Sequence, residues 1–129
     1  MADFALKNFD DIDNAAADRG PGLDARFARK HLGSEHLGIS YFRYAPNYRS
    51  PVAHRHREQE EAYVVVGGSG RVKLNDEIVG LRQWDVVRVA PNVVRSFEGG
   101  PDGLDLIAIG ADRPEGGDGE LVEGHWDED

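Results

Sequence analysis

The sequence predicts an all-β protein, built as a sandwich or barrel of short strands. From about residue 36 onward, short apolar runs rich in valine, isoleucine and leucine recur along the chain. Glycine, proline, asparagine and aspartate separate these runs at close intervals, and an apolar repeat with helical spacing is weak throughout. Many short strands joined by regular turns are typical of β-sandwiches and β-barrels.

The first strong strand signal lies between residues 36 and 45. Apolar side chains alternate there with small residues, at Leu37, Ile39 and Tyr41. Because alternate residues of a strand share a face, this pattern predicts a half-buried strand whose odd-numbered residues point inward. Arg43 has the same parity, so we expect its side chain to point inward as well.

The remaining strands and turns follow in order along the chain. Strands are predicted at residues 62–66, 72–74, 78–79, 86–89, 93–97 and 104–109. Asn75-Asp76 is a plausible tight hairpin turn between the second and third of these strands. Glycine-rich stretches at 67–70 and 99–103 predict two further turns of the chain.

Both ends of the chain have weaker signals, so we divide the chain into three parts. Residues 1–35 are expected to pack on the barrel as a strand and loop segment, with a short helical stretch at 9–19 and a strand at 23–32. Residues 36–112 form the predicted barrel core. Residues 113–129 form an acidic, glycine-rich tail, which is either flexible or docked on the barrel through Leu121, Val122 and Trp126.

The composition narrows the classes of function. The chain has 129 residues, 40% of them hydrophobic, a formal net charge of −9 and no cysteine. This length suits one domain with one core. The negative charge argues against nucleic acid and anionic membranes as partners, and the lack of cysteine excludes disulfides. The first residues lack the basic region and apolar run of a signal peptide, so we expect a cytoplasmic location.

One short segment carries the strongest chemical signal. His54 and His56 are two residues apart, so on an extended strand their imidazoles share a face. A carboxylate follows at Glu60 or Glu61, at the start of the next predicted strand. Two histidines and one carboxylate suit zinc, iron, manganese, nickel or copper. The sequence therefore predicts a site for a divalent transition metal.

The spacing of these residues resembles the first motif of the cupin family. That motif is a glycine, five residues, His-x-His, three or four residues, Glu, six residues and Gly. The residues that match it are His54, His56, Glu61 and Gly68. Tyr48 stands where the first glycine is expected. Glu60 satisfies the version with the shorter gap, but the glycine-rich turn after residue 67 favours Glu61.

The second motif of the cupin family keeps its spacing here but loses its residues. The motif is Gly, five residues, Pro-x-Gly, two residues, His, three residues and Asn. In their places stand Trp84, Ala90, Asn92, Arg95 and Gly99. The resemblance implies a double-stranded β-helix, or jelly-roll barrel. In metal-binding members of the family, the two histidines, the glutamate and the later histidine hold one divalent ion.

Arg95 takes the place of that later histidine, and the family register points it into the barrel. A guanidinium stays charged and has no lone pair to give a metal. At about 4 Å and an effective dielectric constant of about 20, it repels a divalent ion by up to about 8 kcal/mol. Three outcomes stay open. Arg95 pairs with Glu61 and no metal binds, or Arg95 swings aside from a bound ion, or an anionic ligand lies between the ion and Arg95.

The residues and the resemblance together lead to two hypotheses of function. The first is a cupin that binds a small anionic metabolite, with or without a divalent metal such as Fe, Mn, Ni or Zn. The second is a metal-dependent enzyme of the dioxygenase or isomerase type, with His54, His56 and Glu61 as ligands. Contacts to the small molecule are predicted from Arg95, Arg43, Tyr41, Tyr63 and Phe97. The resemblance also implies a homodimer.

Overall fold

A computed structural model describes residues 3–127, which form a curled antiparallel sheet of eight strands. The strands are β1 (Leu23–Phe27), β2 (Gly38–Tyr44), β3 (Val52–His56), β4 (Glu61–Leu74), β5 (Glu77–Arg82), β6 (Val86–Val89), β7 (Arg95–Gly110) and β8 (Gly119–Glu123). One short helix, α1 (Arg29–Leu32), and two 3₁₀ turns, Phe9–Asp11 and Ala17–Arg19, complete the regular structure of the described residues. The all-β prediction is therefore confirmed.

The two longest strands, β4 and β7, form the spine of the sheet. They pair antiparallel from Glu61 opposite Gly110 to Leu74 opposite Arg95. One path of neighbouring strands runs β1-β2-β7-β3-β8, while β4 also pairs with β5 and β6. Strand β7 therefore pairs with β4 along its length, and in addition with β2 near its end and with β3 at its start, which bends the sheet around a common interior.

The glycine-rich stretches predicted as turns lie inside β4 and β7, so that prediction was wrong. The β4–β7 register shifts between Val65 and Gly67 and again between Gly68 and Gly70. Gly68 has a φ of 70°, and a Cβ atom there would collide with the carbonyl oxygen of Gly103 on β7. The glycines thus permit bulges and close strand approach, which bend a continuous strand.

Of three further predictions of local structure, the hairpin is confirmed and two elements near the N-terminus were predicted too long. The hairpin at Asn75-Asp76 is confirmed, because β4 ends at Leu74, β5 begins at Glu77 and Asn75 has a φ of 52°. The strand predicted at 23–32 is too long, since β1 ends at Phe27 and α1 follows it. The expected helical stretch at 9–19 contains only the two short 3₁₀ turns.

The barrel interior is filled by aromatic and aliphatic side chains, and it fixes the orientation of β2. The buried cluster is Tyr44, Tyr63, Val65, Val72, Leu81, Val89, Phe97, Leu104, Leu106 and Ala108. Phe42 packs against this cluster from the same face of β2 as Tyr44. The even-numbered residues of β2 therefore point inward, and the predicted parity was wrong.

Tyr41 and Arg43 consequently lie on the outer face of β2. The ring of Tyr41 packs 5.9 Å from that of Phe9, and its hydroxyl donates to Asp105 Oδ1 at 2.8 Å. Arg43 Nη1 donates to the same oxygen at 3.0 Å. Burial and the Asp105 carboxylate raise the pKa of Tyr41 to about 12. The N-terminal segment covers this face, so apolar residues occur on both faces of β2. The alternation of apolar and polar residues therefore does not show which face points inward.

The C-terminal segment docks on the barrel as β8, which pairs antiparallel with β3. Trp126 is 6% exposed and its Nε1 donates to Ser96 Oγ at 2.9 Å. The guanidinium of Arg49 lies 4.5 Å from the centroid of the Trp126 ring. Leu121, by contrast, is 71% exposed, so the expectation that it docks was wrong. No helix among residues 3–127 is long and apolar enough to span a membrane.

Candidate metal centre

Strand β3 positions both histidines on one face. His54 and His56 are two residues apart on β3, and their ring centroids lie 5.2 Å apart with the planes at 89°. The side chain of His54 is 35% exposed, whereas that of His56 is 11% exposed. The pair therefore lies at an opening of the barrel, with His56 deeper than His54.

The first residue of β4 brings a carboxylate to the two imidazoles. Glu61 Oε1 lies 3.2 Å from His56 Nε2 and 3.6 Å from His54 Nε2. One ligand atom from each of these three residues lies within 4.8 Å of the other two. Glu60 points the other way, is half exposed and pairs with Arg88 at 2.9 Å. The structure thus brings Glu61 and not Glu60 to the histidines.

Tyr63 and Phe97 lie beneath this cluster. Tyr63 follows Glu61 by two residues on β4, so both side chains share the inner face. Its hydroxyl donates to Glu61 Oε1 at 2.6 Å and lies 3.5 Å from His54 Nε2. The ring of Phe97 packs 4.9 Å from that of Tyr63. Tyr63 therefore contacts the candidate ligands directly, while Phe97 supports it from below.

Arg95 is turned into the barrel beside the same carboxylate. It is paired with His54 across β3 and β7, and residues directly opposite each other share a face. Its side chain is 0% exposed, its Nη1 lies 3.8 Å from Glu61 Oε1, and its Nη2 donates to Ala90 O at 3.1 Å. The inward orientation of Arg95 is confirmed.

The guanidinium of Arg95 is only partly satisfied within the described residues. Its Nε and Nη1 are buried and have no hydrogen-bond partner in residues 3–127. Buried donors without an acceptor are unfavourable by about 1–3 kcal/mol each, and more when they belong to a charged group. The carboxylate of Glu61 compensates the charge of Arg95, but it does not supply these hydrogen bonds.

Asp118 completes the surroundings of His56, a contact that no sequence pattern predicts. Its Oδ1 lies 2.8 Å from His56 Nδ1. Its Oδ2 accepts hydrogen bonds from the backbone N–H groups of Glu58 and Gln59 at 2.7 and 2.8 Å. Asp118 is 62 residues from His56 in a tail of many acidic residues, so no spacing distinguishes it.

These contacts shift three pKa values. Burial alone would lower the pKa of His56, but hydrogen bonds with Glu61 and Asp118 outweigh it and raise that pKa. Burial opposes ionisation of Glu61, but hydrogen bonds from His54, His56 and Tyr63 hold its pKa well below the usual range. Asp118 behaves likewise, because His56 and two backbone N–H groups lower its pKa to about 2. Both carboxylates are therefore ionised at neutral pH.

The three candidate ligands fit a divalent transition metal by chemistry and proximity. Neutral imidazole nitrogens and a carboxylate oxygen are ligands that zinc, iron, manganese and nickel accept. Asp118 contacts the Nδ1 of His56 and leaves its Nε2 directed at Glu61, which is a common arrangement around metal-bound histidine. Arg95 occupies the neighbouring position and adds a fixed positive charge. The site thus has three candidate ligands and a cation beside them.

Comparison with known proteins shows the class of fold. No family model matches the chain, and no curated protein matches it. A cupin protein from Bacteroides fragilis superposes with a TM-score of 0.71 at 17% identity, covering 88% of each chain. KdgF from Halomonas sp. gives 0.65 at 16% identity, covering 89% of this chain and 98% of KdgF.

A third similar structure belongs to a longer protein. Salicylate 1,2-dioxygenase from Pseudoaminobacter salicylatoxidans gives a TM-score of 0.62 at 19% identity over 74% of this chain. This chain spans only 28% of that dioxygenase. The chain therefore has the fold of a small cupin domain, a double-stranded β-helix, as the two motifs implied.

Proposed function

We propose that this protein binds a small anionic metabolite beside a divalent transition-metal ion. His54, His56 and Glu61 hold the ion, and Arg95 donates hydrogen bonds to the anion. An ion there supplies Lewis acidity and orients what binds next to it. The protein supplies hydrogen-bond donors from Arg95 and Tyr63 beside the three metal ligands. All five side chains lie on the inner face of the sheet.

The observation that carries the proposal is the pair of unpartnered N–H groups on a fully buried arginine. Arg95 Nε and Nη1 have no acceptor within the described residues, although the side chain is 0% exposed. A carboxylate or phosphate oxygen accepts a charge-assisted hydrogen bond from a guanidinium N–H. Because Nε and Nη1 lie on different edges of the guanidinium, one anion satisfies one of these two groups rather than both in parallel. The same anion would offset the repulsion between Arg95 and the ion, which no neutral ligand would do.

The filled interior limits the size of the ligand. Tyr63 and Phe97 are 2% and 3% exposed and occupy the space below the cluster. Surface grooves of about 580 and 380 Å³ lie elsewhere, and neither includes His54, His56 or Glu61. The opening at His54 is the accessible side of the cluster, since that side chain is 35% exposed. We therefore infer a ligand with a small carboxylate or phosphate head.

The test measures acetate affinity of the zinc-loaded protein and its variants by calorimetry, and in the wild type it also follows the side-chain Nε–H resonances of arginine. Acetate should cause a saturable shift of the Arg95 resonance. Arg95→Met should weaken acetate binding roughly tenfold or more, because hydrogen bonds to charged groups contribute about 1.5–3 kcal/mol. Arg88→Met is the matched control, since Arg88 is exposed and pairs with Glu60 on the outside. Equal acetate affinity in all three proteins would refute the anion role of Arg95.

A metal-dependent enzyme is the second candidate function, and the ligand set favours it. Two histidines and one carboxylate leave coordination positions open, which is typical of catalytic metal sites. The similar salicylate 1,2-dioxygenase suggests small aromatic acids as first substrates to try. The wild type and a His54→Ala, His56→Ala double variant should be incubated with iron and such acids. Turnover that is lost in the double variant would support catalysis, and equal product in both would reject it.

We also infer a homodimer, as the family resemblance implied. Phe4 and Leu6 are 79% and 91% exposed in the extended segment before the first 3₁₀ turn. Large apolar side chains that protrude together are common at protein–protein interfaces. Light scattering should give twice the chain mass for the wild type and the single mass for Phe4→Ser, Leu6→Ser. A monomeric wild type would contradict this inference.

A further inference from the structure

We infer that Asp118 is a positioning residue for His56, so the metal centre is complete only when the C-terminal segment is docked. This inference rests on the proposed function, because it assigns a role beside the same ligands. Asp118 holds the Nδ1–H of His56 and thereby leaves the lone pair of Nε2 for the ion. No spacing in the sequence links residue 118 to the histidine pair.

The hydrogen bonds of Asp118 fix its own orientation as well as that of the imidazole. The side chain is 0% exposed, and Oδ2 accepts two backbone N–H groups, from Glu58 and Gln59. Oδ1 is then directed at His56 Nδ1 at 2.8 Å. On the far side of the ring, His56 Nε2 lies 3.2 Å from Glu61 Oε1. The imidazole is therefore held between two carboxylates, with the shorter contact to Asp118.

The strand that carries both histidines depends on the same segment. Strand β3 pairs with β7 at a single position, His54 opposite Arg95. It pairs with β8 at five positions, from Val52 opposite Glu123 to His56 opposite Gly119. Most of the interstrand pairing of β3 among the described residues thus comes from the C-terminal segment. Trp126, which is buried and donates to Ser96 Oγ, anchors the far end of that segment.

An ionised carboxylate only accepts hydrogen bonds, whereas an amide also donates them. This difference makes the positioning role of Asp118 testable by substitution with asparagine. Both carboxylates beside His56 only accept hydrogen bonds, so a neutral His56 places its single proton on the side of the shorter contact, on Nδ1 facing Asp118. In Asp118→Asn, the amide oxygen takes the place of Oδ2, because two backbone N–H groups require an acceptor there. The amide NH₂ then faces His56 Nδ1 and favours the tautomer protonated on Nε2. That tautomer has no lone pair for an ion beside Glu61.

The experiment uses the full chain and two readouts on three proteins. Imidazole ¹⁵N shifts, recorded without metal in buffer alkaline enough to keep His56 neutral, report which nitrogen is protonated. Zinc titration reports affinity. We expect Nδ1–H in the wild type, Nε2–H in Asp118→Asn, and a 10- to 100-fold loss of zinc affinity in that variant. Glu120→Gln is the matched control, because it removes a charge from an exposed residue two positions after Asp118, on β8; it should behave as wild type.

The two readouts separate failure of this inference from failure of the proposed function. A wild type with His56 protonated on Nε2 would overturn the positioning role even if Asp118→Asn does not fold. Retention of Nδ1–H and unchanged zinc affinity in Asp118→Asn would overturn it too. A wild type that binds no zinc would refute the proposed function, while the tautomer would still decide whether Asp118 orients His56.

Discussion

The guanidinium of Arg95 lies 3.8 Å from Oε1 of Glu61, at the position where the second cupin motif has a histidine. An otherwise familiar set of two histidines and a glutamate is thus combined with a buried cation. Because a guanidinium repels a metal ion and attracts an anion, we expect Arg95 to lower the affinity of the site for a metal ion and to raise it for an anion.

Arg95→His should raise zinc affinity by roughly tenfold or more. The substitution removes a positive charge beside Glu61 and supplies an imidazole at the inward-facing position opposite His54. Zinc accepts a further nitrogen ligand readily. Zinc titration calorimetry on the wild type and the variant gives the ratio of affinities.

Arg95→Met separates the two effects of that substitution. Methionine removes the charge of Arg95 but contributes no nitrogen ligand, so zinc affinity should rise less than in Arg95→His. Equal affinities in the two variants would show that charge alone acts. Unchanged affinity in both would mean that the ion does not lie beside residue 95.

The stability of the metal-free protein should pass through a maximum between about pH 4 and about pH 6.5. Asp118 has a folded-state pKa of about 2, below its ordinary 3.8. Its contribution, about 2 kcal/mol, is present above its unfolded pKa and is lost as the pH falls toward 2. His56 has a raised pKa, so its contribution is present below 6.5 and is lost as the pH rises through its folded-state value. Urea unfolding at a series of pH values measures this profile.

Substitution of the titrating groups provides the control for that profile. His56→Gln should flatten the alkaline side, and Asp118→Asn should flatten much of the acid side. Glu61 contributes to the acid side as well, since its pKa is also lowered. A wild-type stability that rises between pH 7 and alkaline pH would contradict the direction of the His56 shift.

Tyr63→Phe should lower the free energy of unfolding by about 1.5–3 kcal/mol. The Tyr63 hydroxyl donates to the Glu61 carboxylate at 2.6 Å in a buried setting, and hydrogen bonds to charged groups contribute about that much. Urea denaturation measures the loss. Tyr44→Phe is the matched control, because it removes a tyrosine hydroxyl from the same buried cluster without altering Glu61. A larger loss in Tyr44→Phe than in Tyr63→Phe would argue against this contact.

Trp84→Gly should raise the stability by about 1 kcal/mol, although it removes the largest type of side chain. Trp84 has a φ of 74° and is 68% exposed, at the position where the second motif has glycine. A bulky residue in the left-handed region is strained by about 1–2 kcal/mol, and glycine recovers this at a smaller entropic loss. Thermal unfolding of the variant and of Trp84→Ala, which keeps the strain, tests the cause. Equal melting temperatures for the two variants would reject it.

The sequence predicted the fold class and the cluster of two histidines and a glutamate because both depend on local spacing. His54 and His56 share a face of β3 by strand periodicity alone, and Glu61 begins the next strand as the motif requires. Asn92 stands at the turn glycine of the second motif and adopts a φ of 71°, as that position demands. The motif spacing also placed Arg95 inside the barrel.

The features that could not be predicted from the sequence depend on tertiary contacts. Tyr41 and Arg43 were predicted to point inward but point outward. The prediction failed because the N-terminal segment covers the outer face of β2, which leaves both faces partly buried. Asp118 was not recognised because its role arises from the pairing of β8 with β3. The glycines near residues 68 and 103 bend long strands, since bulges and turns share the same residue preferences.

Whether His54, His56 and Glu61 hold a metal ion is decided by the metal content of the untagged protein and of a His54→Ala, His56→Ala double variant. After incubation with zinc and removal of the excess, we expect about one ion per wild-type chain and only background in the double variant. Equal zinc in both proteins, whether stoichiometric or trace, would contradict an ion held by His54, His56 and Glu61.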